Sequence, residues 1–262
     1  MELVLSGIVI REKPINEADK LITVLTDKIG KITFRAKGVK SIKSKNASAT
    51  MLFCYSDFEL SEKCGRYTLK TAYLKESFFG IRSDILRYSL ACYFLDTVNT
   101  VTTELGDETD ILRLLLNSLY ALSEKASLPL WKIKGAFELK LMVLCGFMPE
   151  LNTCGLCADE IKMSDSAFFG FSDAFTVCDK CKSKGQYNGL FKVSAPVLEA
   201  MRYISVCPSK RLLSFNLNDL YSPEFSFICE NYLLNQTERG YETLKIYKSM
   251  NNTFNKTENH EQ

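Results

Sequence analysis

A chain of 262 residues with 46% hydrophobic and 11% aromatic content can bury the cores of one large domain or of two or three small ones. No run approaches the roughly 18 uninterrupted apolar residues of a membrane span, and the start MELVLSGIVIREKP lacks the basic lead and cleavage pattern of a signal peptide, so a soluble cytoplasmic protein is expected. The formal net charge of +2 hides an asymmetry: residues 1–82 hold 15 Lys and Arg against 9 Asp and Glu, and residues 83–262 hold 18 against 22.

The first 80 residues read as strands. LVLSGIVIRE, KLITVLTD, KITFRAKG, MLFCYSDFELSE and GRYTLKTAYLKES are short, rich in β-branched and aromatic residues, and separated by turn signals such as Asp27-Lys28-Ile29-Gly30 and Cys64-Gly65. Five strands in so short a span predict a small barrel over 1–80, of the five-stranded oligonucleotide/oligosaccharide-binding (OB) type. Between the third and fourth strands lies FRAKGVKSIKSKNAS. From Lys28 to Ser56 the chain has seven basic residues, Lys28, Lys31, Arg35, Lys37, Lys40, Lys43 and Lys45, and no acid.

Such a run is either a solvated loop or a surface for a polyanion. Its position on a barrel of this type favours phosphate contact, with Arg66, Lys13 and Lys70 on neighbouring strands extending the surface. Phe34, Phe53, Tyr55 and Tyr67 are candidates either for stacking on bases or for the barrel core.

Beyond Gly80 the period becomes helical. Ile85, Tyr88, Leu90, Cys92, Leu95 and Val98 define a first helix with Ser83 as its N-cap. DETDILRLLLNSLYALSEKA gives a second, its leading acids reading as cap and dipole charge. LPLWKIKGAFELKLMVLCGF gives a third, between Pro129 and Gly146. Two more helices are expected over 194–206 and 222–249, followed by a disordered polar tail, 250–262. The helical domain then comprises 81–150 and 190–249.

An insertion at 151–189 interrupts it. CGLC supplies Cys154 and Cys157, and CDKC supplies Cys178 and Cys181 some twenty residues later, around a predicted hairpin AFFGFSDAFTV. Two such pairs at this spacing are the signature of a four-thiolate zinc site in a ribbon or treble-clef-like finger. An iron–sulfur cluster could use the same ligands. Four Cys ligands leave no open position, so one structural zinc per chain is expected. The other six cysteines sit singly, Cys54 and Cys92 in apolar runs that read as core.

No catalytic constellation can be assembled. The single histidine, His260, lies in the polar tail, no phosphate-binding glycine loop is present, and carboxylates are scattered. The expectation is an α+β binding protein, not an enzyme, with no small-molecule substrate.

The segments GIVIREKPINEADKLITVLTDKIGKITFRAKGVKSIKSK, FELKLMVLCGFMPELNTCGLC and FTVCDKC together resemble the RecO family of bacterial DNA repair proteins, over nearly the whole chain to about residue 248. The resemblance implies an OB barrel, a helical domain and an inserted zinc finger. It implies a nucleoid-associated recombination mediator that binds single- and double-stranded DNA, anneals complementary strands and, with RecR, promotes RecA loading on strands coated by single-stranded DNA-binding protein (SSB). The family's basic segment falls on Ala36-Lys37-Gly38-Val39-Lys40, followed by Lys43 and Lys45. Lysine stands here where relatives often have arginine, which keeps phosphate attraction and loses bidentate geometry.

In the family the SSB C-terminal tail docks on the helical domain, and Lys132, Lys134, Lys140 and Arg202 are candidates for it or ordinary helix surface. A zinc-ribbon nucleic-acid-binding accessory factor of transcription or translation is the competing reading of the same features.

Overall fold

The computed structural model describes residues 2–258 apart from 105, 163, 164 and 186, and side chains as far as residue 254. His260 lies outside the described residues. The chain divides into two compact units, 1–126 with 241–262, and 127–240.

In the first unit five strands close a barrel: β1 Glu2–Pro14, β2 Lys20–Thr26, β3 Lys31–Ala36, β4 Tyr55–Lys63 and β5 Arg66–Glu76. The order around it is β1-β2-β3-β5-β4, with β4 returning to β1 and only the β3–β5 pair parallel. This is the arrangement of the expected OB-type barrel. Closure depends on β1, whose first half pairs with β4 and second half with β2. A register shift between Val9 and Arg11 bends the strand where the partners change, and Val9 there exchanges backbone hydrogen bonds with Cys54 and Phe53.

The inward residues of each strand, including Leu5, Val9, Ile22, Val24, Ile32, Phe34, Phe58, Leu60 and Leu69, fill the interior. Phe34 is thus core, in contact with Phe58 at 5.3 Å between ring centroids. Phe53 is also buried, edge-on to Tyr88 and under the Arg82 guanidinium. Neither ring is open to stacking; Tyr55 and Tyr67 are half-buried.

Helices α1 Ile85–Val101 and α2 Thr109–Glu124 follow. The N-cap of α1 is Asp84, not Ser83: its carboxylate accepts the amides of Leu86 and Arg87, as an extended residue directly before the first turn can. Lys31 pins the barrel to α1, its ammonium donating to the Asn99 carbonyl, and Arg82, just before α1, donates to the carbonyls of Ser77 and Leu52.

The expected single helix over 222–249 is two. α6, Ser222–Gln236, ends before Glu238, which adopts a left-handed φ of 49°, and after Gly240 α7 begins at Glu242. α6 belongs to the second unit, whereas α7 returns to the first and packs on α1 through Tyr241 and Tyr93. α7 runs to Glu258, through most of the expected disordered tail. Once buried Tyr241, Leu244 and Tyr247 anchor its first turns, each further residue adds a backbone bond without a new nucleation cost.

The second unit is built on α3, Leu130–Leu144, which is buried on every side and contacts α5, Ala195–Val206, and α6. Between α3 and α5 the chain forms a four-stranded sheet ordered β6-β8-β7-β9, from β6 Glu150–Cys154, β7 Ala167–Gly170, β8 Phe175–Val177 and β9 Leu190–Val193, with the short helix α4, Asp179–Ser183. β7 and β8 are the predicted hairpin. The helical segments are therefore shared between the two units.

Gly135 sets how closely α3 and α6 approach. A Cβ there would sit 2.4 Å from the Phe225 ring, which is wedged between Trp131 and Phe215 and cannot retreat. Gly135→Ala should lower unfolding stability by about 1–3 kcal/mol, read as a lower urea midpoint.

Candidate nucleic-acid interface and metal centre

The lysine-rich connection leaves β3 at Ala36 and is tied down at both ends. At its start the buried Asp19 carboxylate accepts from the Arg35 guanidinium at 2.5 and 3.1 Å, from the Gly38 amide at 2.8 Å and from the Asn16 side-chain amide at 3.2 Å. The Arg35 bond is the largest of the influences that hold the Asp19 carboxyl down to about 2, with the Gly38 amide next. Gly38 has a φ of 66°, which suits glycine, and lets the chain turn around that carboxylate. At the far end the Asn46 side chain donates to the Lys70 carbonyl and accepts from the Ala72 amide, stapling the connection to β5.

The six predicted basic residues thus separate into two groups. Arg35 is engaged by Asp19, and the Lys40 ammonium donates to the Asn16 carbonyl at 3.0 Å. Lys37, Lys43, Lys45 and Arg66 are exposed, and none forms a salt bridge among the described residues. Lys13 is exposed as well, whereas Lys70 pairs with Glu2. Leu21, 37% exposed, stands in register between Lys13 on β1 and Arg35 on β3. The outer face here therefore offers cations around a small apolar strip. Asn16, Asp19 and Asn46 hold the arrangement and were not singled out from the sequence. Asn16 accepts the amides of Ala18 and Asp19, a local turn that the NEAD motif could have signalled.

The four candidate helix cations are all engaged by acceptors. Lys134 is buried between Glu138 at 2.7 Å and Glu230 at 2.8 Å. Burial disfavours its charge, and the two carboxylates more than compensate, raising its pKa. The ammoniums of Lys132 and Lys140 donate to the carbonyls of Phe215 and Ser205, and the Arg202 guanidinium caps those of Leu151 and Ile161. Each is thus engaged within its own unit, Lys134 and Lys140 buried and Lys132 and Arg202 half-buried.

The four cysteines converge. Their sulfurs lie within 4.8 Å of one another, with Cys157 and Cys178 3.9 Å apart. A zinc–sulfur bond of about 2.3 Å makes the edge of a tetrahedral four-sulfur shell about 3.8 Å, so the cluster has the size of one ion. Cys154 ends β6, and the turn to Cys157 closes with Ala158 at a φ of 60°. Cys178 precedes α4 and Cys181 lies in it. Gly155 lies against the Phe175 ring, where a Cβ would approach to 2.5 Å.

Burial opposes ionisation of Cys154, and backbone amides of Cys178, Leu156 and Cys157 outweigh it, bringing its pKa to about 6; hydrogen bonding with Cys157, then burial, pushes Cys181 up to about 12. Backbone donors thus favour the thiolate at Cys154, the form in which cysteine binds a metal ion.

No helix among the described residues is long and apolar enough to cross a membrane. Comparison with known proteins gives a consistent result. Residues 1–78 match the family model described as "Recombination protein O N terminal", and residues 82–245 the one described as "Recombination protein O C terminal". The chain is 34% identical over 245 residues to "DNA repair protein RecO" of Acetivibrio thermocellus, covering 94% of this chain and 96% of that protein. It is 29% identical to the protein of that name from Alkaliphilus metalliredigens, covering 93% and 98%. With that of Symbiobacterium thermophilum it shares 30% identity, covering 89% and 91%.

Two expectations follow. Asp19 ionises more readily folded than unfolded, so what it stabilises is present above the ordinary carboxylate range near 3.9 and lost as pH falls toward 2. Hydrogen exchange at the Gly38 amide should be protected near neutral pH and lose protection relative to Val24 in acid; in Asp19→Asn that protection should be weak throughout. Cys154→Ser should lower the metal-to-protein ratio and destabilise the second unit, measured by elemental analysis and thermal unfolding.

Proposed function

The chain belongs to the recombination protein O family, and from that premise we propose that it is a cytoplasmic, nucleoid-associated DNA repair and recombination mediator that works by binding and not by catalysis. It holds single- and double-stranded DNA on the barrel, anneals complementary strands, and with RecR promotes RecA loading on SSB-coated single strands. The observation that carries this reading is the connection between β3 and β4: Lys37, Lys40, Lys43 and Lys45, in a stretch from Lys28 to Ser56 without one acid, held against an OB-type barrel by Asp19 and Asn46.

In this reading Lys37, Lys43, Lys45 and Arg66 meet phosphates directly. Arg35 and Lys40 shape the connection and join the contact only by exchanging Asp19 or Asn16 for a phosphate oxygen. Exposed lysines release condensed counterions when they replace them, which favours binding at low salt and makes affinity insensitive to base sequence. A chain that neutralises two strands lowers their mutual repulsion, so pairing needs no nucleotide hydrolysis. The helical segments and zinc-binding insertion supply the remaining organisation, including contacts with RecR and the SSB C-terminal tail.

The resident metal is a zinc ion held by Cys154, Cys157, Cys178 and Cys181. Its chemistry would be structural: bound by these four residues it would join the end of β6 to the start of α4, and four thiolates would leave it no position for substrate.

Binding of a fluorescent single-stranded oligonucleotide at several salt concentrations tests the barrel surface. Lys37→Ala, Lys43→Ala and Lys45→Ala combined should flatten the log–log salt dependence by about 2, from roughly 0.7 for each single-strand phosphate no longer neutralised. An unchanged slope would remove the connection from the interface.

A further inference from the structure

The second unit contains an acid-free basic run of its own, from Lys180 to Leu198, with Lys180, Lys182, Lys184 and Lys192 and neither Asp nor Glu. It passes through α4 and β9 and returns to the zinc-binding sheet. That sheet has two unlike faces. One carries Ala167, Phe169, Thr176 and Val193, all buried, and Phe169 packs on Tyr232 of α6 at 5.3 Å. This is the face that joins the core.

The opposite face follows from the register. Phe168 is paired with both Val177 and Lys192, and Gly170 with both Phe175 and Leu190. Alternation along a strand therefore puts Phe168, Phe175 and Lys192 on one side. The Lys182 ammonium lies 5.8 Å above the Phe168 ring, and Tyr187 packs on Phe175 at 5.4 Å. Phe168, Phe175, Tyr187 and Lys182 are half-buried, while Lys180, Lys184 and Lys192 are exposed. Within this sheet Lys182 and Lys192 thus share a face with Phe168 and Phe175, whereas Phe191, 39% exposed, is in register with Phe169 on the other face.

We propose that this outer face is a second nucleic-acid contact surface, taking a short single-stranded segment with Lys182, Lys184 and Lys192 on its phosphates and a base against Tyr187 and Phe175. Interleaved cations and aromatic rings are the chemistry of sequence-tolerant single-strand binding, because every base has a π face and every nucleotide a phosphate. An acidic peptide would need the cations and would have no particular use for Tyr187. The zinc ion's part is to hold the face in shape, since Cys154 and Cys178 bracket the hairpin and Cys181 lies beside Lys182. The inference rests on the DNA-binding reading of the chain and adds a site separate from the barrel.

The test uses the full zinc-loaded chain. Three proteins are compared with wild type by single-stranded oligonucleotide binding against salt: Lys182→Ala with Lys184→Ala and Lys192→Ala; Tyr187→Leu, which retains apolar packing on Phe175; and the triple barrel variant of Lys37, Lys43 and Lys45. Zinc content confirms that each finger is folded, and Lys182→Arg with Lys184→Arg and Lys192→Arg controls for impaired packing. The expected result is a slope flattened by about 2 in the lysine-to-alanine variant, from roughly 0.7 per phosphate, and restored in the arginine variant. Tyr187→Leu should weaken binding several-fold with its slope unchanged.

A lysine-to-alanine variant that retains zinc and the wild-type slope, while the barrel variant flattens, would overturn this inference and leave the barrel reading intact. A wild-type protein without salt-dependent binding would overturn both. Weakening by Lys→Ala that arginine does not rescue, with Tyr187→Leu silent, would mean that the lysines support the finger's packing, and would also overturn it.

Discussion

The carboxylate of Asp19 is the contact on which the basic surface depends. It is buried at the end of the β1–β2 connection and accepts from Arg35, from the Gly38 amide and from Asn16. A buried carboxylate must be paired and hydrogen-bonded, and here the partners that satisfy it belong to the segment that has to be shaped. Its charge is thereby spent on Arg35 and not on the lysines beyond. The result is a connection fixed at its root whose outer cations, Lys37, Lys43 and Lys45, form no salt bridge among the described residues.

The cations on α3 and α5 are used in the opposite way. Lys134 is enclosed by two carboxylates, Lys132 donates to the Phe215 carbonyl in a loop, Lys140 to that of Ser205 in the last turn of α5, and Arg202 to those of Leu151 in β6 and Ile161 beyond it. Arg202 is the clearest case: it donates to Leu151 in β6 and to Ile161, and so secures α5 to the chain entering and leaving the first cysteine pair. Removing such a residue would expose unsatisfied acceptors and so impair packing, not binding.

Legibility in the sequence followed the range of the interaction. The barrel was readable because strand patterning and turns are local signals, and the metal centre because two Cys-x-x-Cys turns have few other uses. Phe34 and Tyr67 fall in the same strand-rich stretch, yet the first is core and the second only half-buried; their environments depend on barrel closure, which no short window contains. The break between α6 and α7 was missed because Glu238 takes a left-handed conformation that its residue type does not announce. The burial of Lys134 was invisible for a similar reason, since Glu230 lies ninety-six residues away. Asp19 illustrates both sides, for its local turn with Asn16 is legible whereas its bond to Arg35 needs the β2–β3 register.

The contrast between buried and exposed cations bears on what kind of binding the chain supports. Arginine offers a rigid fork suited to bidentate recognition, and lysine offers a mobile point charge. In this chain Arg35, Arg82 and Arg202 are used internally, where fixed geometry matters, and the outer positions of the basic connection are lysines. Binding through them would follow phosphate density and not base identity, with affinity set by counterion release. For a protein proposed to bring together whichever strands are complementary, leaving sequence to the bases themselves is the consistent solution: base pairing supplies the specificity, and the protein surface has only to reduce the repulsion that opposes it.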